Sequence, residues 1–116
     1  MKLPHLEPLI FAKEILYIDD KKAKILCEFK QLPSIGIFVE AAAQSSASFF
    51  QESGFKIGYL ASASNIELLG EIEDLKYIVT LEHLLSFDNL NKYSFTISNI
   101  QNTKDIVLGE FTVFIE

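Results

Sequence analysis

Between Lys30 and Glu52 the chain carries one charged side chain, Glu40. Around it run Ile35, Ile37, Phe38, Val39, Ala41, Ala42, Ala43, Ala47, Phe49 and Phe50. Pro33 and Ser34 break the chain just before this run, and Ser34 is a suitable N-cap, so a helix is predicted from Ile35 to about Glu52, stopped by Ser53-Gly54. A helix that is apolar nearly all round cannot face water, so the rest of the chain must enclose it.

The flanking segments have the period of strands. Two short apolar runs between Ile15 and Phe29 flank Asp19-Asp20-Lys21-Lys22, and the second alternates Ala23, Ile25, Cys27 and Phe29 against Lys24 and Glu28. That pattern predicts a β-hairpin. Downstream, Tyr77, Val79, Leu81, His83, Leu85 and Phe87 are expected on one face of a strand, with Lys76, Thr80, Glu82 and Ser86 on the other. Asp88 to Asn91 turns the chain into a strand with Tyr93, Phe95 and Ile97 inward, and Gln101 to Lys104 turns it into a last strand with Val107, Phe111, Val113 and Ile115. The segment from Gly58 to Leu69 is expected to add one more strand. The order is hairpin, helix, antiparallel meander, which makes an α+β class.

A chain of 116 residues with 49% hydrophobic side chains holds one core, and residues 1–116 are read as one domain. The net charge is −6 and every one of the ten basic residues is Lys, so the bidentate Arg forks that read phosphates and bases are absent. Nucleic acid is not an expected partner. No stretch approaches the ~20 apolar residues of a membrane span. Met1 to Pro8 lacks the apolar run of a signal peptide, so a cytoplasmic location is expected. Cys27 is the only cysteine, which rules out an internal disulfide or a Cys-rich metal site, and it reads as a small buried strand residue. No metal and no cofactor are expected.

Glu40 is the residue that does not fit a purely structural helix. A carboxylate enclosed among apolar groups costs several kcal/mol when ionised and unpaired, and such a group can exchange protons near neutral pH. Gln44 follows one turn later on the same face and can bond to Glu40 or to a ligand. The alternative is an ion pair between Glu40 and a Lys of a neighbouring strand or subunit, or a carboxylate reaching solvent at the helix edge.

Two motifs resemble those of the 3-hydroxyacyl-acyl-carrier-protein dehydratases of the hotdog fold. The run from Leu3 to Leu16 is similar in spacing to the family's opening Leu-Pro-His-x-x-Pro segment, and Val39-Glu40-Ala41-Ala42-Ala43-Gln44 is similar to the Ile-Glu-Ala-x-Ala-Gln that opens its central helix. Tyr59 to Ile66 resembles the Phe-Leu-Ala-Gly-Ile-Asp-x-Ala of the next strand. The resemblance implies a curved antiparallel sheet wrapped around one long helix, and a lyase acting on acyl chains carried on the phosphopantetheine of an acyl carrier protein, as in fatty acid synthesis. It places Glu40 as the catalytic acid, Gln44 as its helical neighbour, Ser62 at a substrate-binding position, and the backbone amides of Ile35 and Gly36 where a thioester carbonyl is polarised.

The departures are as informative. The family's catalytic histidine precedes the helix, whereas Cys27 to Pro33 contains none; Lys13 replaces an early Asp and Ser62 replaces a Gly. Short divergent relatives of the aryl-polyene type are closer to this pattern. His83, on an apolar strand face, reads first as a core histidine, and His5 as a hydrogen-bonding residue of the opening motif. The implied assembly is a dimer, either with itself or with a histidine-bearing paralogue that completes the site. A non-catalytic acyl-chain or acyl-carrier-protein binding subunit and an acyl thioesterase remain open alternatives.

Overall fold

The computed structural model describes residues 11–46, 49, 58–101 and 103–115. Strands β1 (Ala12–Ile18) and β2 (Lys22–Glu28) form the predicted hairpin, with Ile15 opposite Ile25 and Ile18 opposite Ala23. Its turn is held by Asp19, whose Oδ1 accepts the backbone N–H of Lys21 and of Lys22, each at 2.8 Å. Ala23, Ile25 and Cys27 are wholly buried, as the alternation requires.

Helix α1 (Ile35–Ser45) begins where the capping residue predicts. The Ser34 Oγ accepts the Ile37 N–H at 3.2 Å, and the Ser34 carbonyl accepts the Phe38 N–H at 3.0 Å. The regular helix is shorter than the apolar run suggested. At Ser46 the hydroxyl donates to the Ala43 carbonyl at 2.6 Å, the local competition by which serine weakens a helix interior. The expected continuation through 47, 48 and 50–52, and the stop at Ser53-Gly54, lie outside the described residues.

Strands β3 (Gly58–Leu68), β4 (Lys76–Phe87), β5 (Leu90–Asn99) and β6 (Asp105–Ile115) complete one six-stranded antiparallel sheet. Its order is β1-β2-β4-β5-β6-β3, so the hairpin joins β4 across the helix crossover and β3 crosses to pair with β6 at the far edge. β4 and β5 are joined by a two-residue turn in which Asp88 takes φ 53°, a left-handed conformation that Asp tolerates. α1 lies on one face of this sheet, packed mostly on β3 and β6. At the start of the helix Phe38 meets Phe29 and Tyr77 edge-on, with ring centroids at 5.6 and 4.9 Å. Beyond its end Phe49 stacks on Tyr93, which stacks on Phe111, at 5.5 and 5.4 Å.

One expected strand face is not continuous. Tyr77, Val79 and Leu81 are buried, but the register slips by one residue between His83, opposite Tyr93, and Leu85, opposite Lys92. This bulge turns Leu85 and Phe87 to the face away from the helix, where they are 53% and 70% exposed. None of the helices among the described residues is long and apolar enough to cross a membrane.

Candidate functional site

Four-residue spacing puts Gly36, Glu40 and Gln44 along one ridge of α1, with about 5–6 Å between successive side-chain positions. The helix presses Phe38, Ala41, Ala42 and Ser45 against the sheet, all of them with no or almost no exposure. At 3.6 residues per turn, Glu40 lies about 150° around the helix from that buried face. Glu40 is therefore only partly covered rather than enclosed by its own sheet, and it has no ion-pair or hydrogen-bond partner among the described residues. The ridge tilts inward along its length: Gly36 is exposed, Glu40 is intermediate and Gln44 is 2% exposed.

The two ends of this ridge differ chemically. At the start, the Ile35 and Gly36 N–H groups precede Phe38, the first intrahelical donor, while the Ser34 hydroxyl already satisfies Ile37. Gly36 has open space where a side chain would stand, since a Cβ there would meet only the Ser34 Oγ, at 3.8 Å. Two amide donors at the positive end of a helix, with nothing over the second, can bind a carbonyl oxygen or an anion. At the other end, both the Nε2 and the Oε1 of Gln44 are buried with no hydrogen-bond partner among the described residues. Of the two partners open to Gln44, Glu40 or a ligand, Glu40 is not bonded to it.

Of the other predicted positions, Ile35 is half-buried in the first turn of α1. Ser62 is not gathered with the ridge. β3 slips register between Leu60, opposite Val113, and Ser62, opposite Thr112. Since Phe111 and Val113 are buried on the helix side, Ser62 shares the outer face with Thr112 and is exposed. His5 and the opening motif up to Ile10 lie outside the described residues.

His83 is half-buried, its ring 5.2 Å from that of Tyr93. Its Nε2 is 2.8 Å from the Ser86 Oγ, which donates to the Asn91 Oδ1 at 2.6 Å. The sequence pattern put Ser86 on the opposite face; the bulge at Leu84 brings both to the same side. Adjacent leucines at 84 and 85, where strict alternation fails, are the signal that could have shown it. This cluster adjoins the Phe49–Tyr93 stack, beyond the end of α1, whereas Glu40 sits in the middle of the helix, nine positions before Phe49. The structure does not bring His83 to Glu40 within one chain.

Cys27 is fully buried with its Sγ 3.7 Å from the Ser45 Oγ, and burial pushes its thiol up to about 12. That chemistry is structural: the thiol stays neutral and ties β2 to α1. Burial likewise raises the Tyr93 hydroxyl above its ordinary range. Among the described residues no three His, Cys, Asp or Glu side chains are gathered to hold a metal ion.

A six-stranded antiparallel sheet around one helix is the hotdog fold, and comparison with solved structures agrees. The dehydratase heterocomplex ApeI:P from Xenorhabdus doucetiae superposes with a TM-score of 0.81 at 14% identity, over 98% of this chain and 88% of that one. The PaaI protein from the phenylacetic acid degradation operon of E. coli gives 0.68 at 16% identity, over 87% and 81%. A hypothetical thioesterase from Streptococcus pneumoniae, solved with coenzyme A, gives 0.65 at 19%, over 89% and 84%. No family model and no curated protein matches the sequence. The shared property is the fold.

Proposed function

We propose that this chain is an acyl-thioester dehydratase-like subunit that acts on 3-hydroxyacyl groups carried on the phosphopantetheine of an acyl carrier protein. The observation that carries the reading is the single helical ridge on which the Gly36 amide and the Glu40 carboxyl stand one turn apart, with open space over the glycine. A thioester carbonyl held by the Ile35 and Gly36 N–H groups places the carbons next to it along the ridge toward Glu40. The amides stabilise the enolate that develops when the proton alpha to the carbonyl is removed. Glu40 then protonates the departing 3-hydroxyl, a transfer of the kind that contributes about 10²–10⁴ in rate.

The reading requires a second subunit, because Glu40 faces away from the chain's own sheet and no imidazole lies beside it among the described residues. β3 is the place for it. This strand is an edge, eleven residues long, without Pro or Lys, and Leu60 to Asn65 are all exposed. Such an edge is a template for pairing with another strand. The partner is a second copy or a histidine-bearing paralogue of the same fold, and the similarity to a dehydratase built as a heterocomplex favours the paralogue.

A thioesterase reading is supported by the likeness to a thioesterase fold, with Glu40 activating water in place of protonating a hydroxyl. A third reading, a binding subunit without chemistry, needs only the amide end of the ridge. One assay separates them: the chain, alone and mixed with a histidine-bearing paralogue, is given a 3-hydroxyacyl carrier substrate while water loss and thiol release are followed. Water loss that disappears in Glu40→Gln supports the dehydratase; Glu40-dependent thiol release supports the thioesterase. Carrier binding with neither reaction leaves the binding subunit.

A further inference from the structure

We draw no further inference here: the strongest candidate, the exposed apolar row that Phe87, Leu90 and Phe114 form beside Leu85 on the outer face of the sheet at the β4–β5 turn, carries none, because nothing in the structure shows what covers it.

Discussion

Ile66 of β3 lies across Gly109 of β6 so closely that a Cβ at Gly109 would stand 2.4 Å from the Ile66 Cδ1 and 3.2 Å from its Cα, with the Phe95 Cε1 at 3.0 Å. The approach follows from the edge strand's irregularity: β3 slips register between Ser64 and Glu67, and Asn65 takes φ 55° there. Gly109→Ala forces the backbone of β3 outward, because an isoleucine methyl can turn aside but its Cα cannot. The substitution is expected to cost about 1–3 kcal/mol. Urea unfolding reads it as a lower midpoint at unchanged slope, and an unchanged midpoint would refute this account of the contact.

Burial of Cys27 has a pH consequence. Its thiol rises from an ordinary value of 9.0 to about 12, so the folded state holds the proton where the unfolded chain releases it. The contribution is fully present below about pH 9 and is lost as pH rises toward 12. Stability should fall across that window, and less steeply in Cys27→Ala, the difference being the thiol's share. Tyr77 and Tyr93, also raised by burial, add to the alkaline loss in both proteins. A disulfide reagent at pH 8 should modify Cys27 only at the rate of unfolding; prompt labelling of the folded protein would contradict the burial.

Ser34 fixes where α1 starts. Its hydroxyl caps the Ile37 N–H at 3.2 Å, and losing an N-cap oxygen costs about 1 kcal/mol. Ser34→Ala should lower stability by that amount, and Ser34→Asp should restore it. If the Ile35 and Gly36 amides hold the thioester, Ser34→Ala should also raise KM, since fraying of the first turn misaims both donors.

Deleting Leu84 tests the bulge on β4. Removal joins His83 directly to Leu85, so Leu85 still stands opposite Lys92 and Ser86 opposite Asn91 on the His83 face, now in unbroken alternation. The expected outcome is a folded protein that keeps the Nε2–Ser86 hydrogen bond, read as His83 ring signals close to those of the parent by NMR. Ser86→Ala, which leaves the bulge intact, should remove that bond and shift the ring signals. Identical His83 signals in all three proteins would show that the hydrogen bond does not form in solution.

The hairpin, the start of α1 and the two meander turns were legible because each rests on local rules. Asp19 and Ser34 place oxygens over nearby N–H groups, and the apolar residues alternate with period two on β2, β5 and β6. The hotdog fold was legible too, through the motif around Glu40 and the uncharged helix. What failed was local pattern where register changes, at Leu85 and Phe87 after the Leu84 bulge. A strand's alternation contains no information about an inserted residue, so every assignment beyond it flips face.

By itself, then, the sequence determined which segments are strands, where the helix begins, and that one carboxylate would sit in it without a charged neighbour. Only the tertiary structure decided that β3 crosses to β6 and becomes a bare edge, that Glu40 turns away from its own sheet while Gln44 turns into it, and that His83 joins Ser86. The reason is physical: hydrophobic period and capping act over a few residues, whereas strand order and the direction a helix ridge faces are set by contacts between segments far apart in the chain.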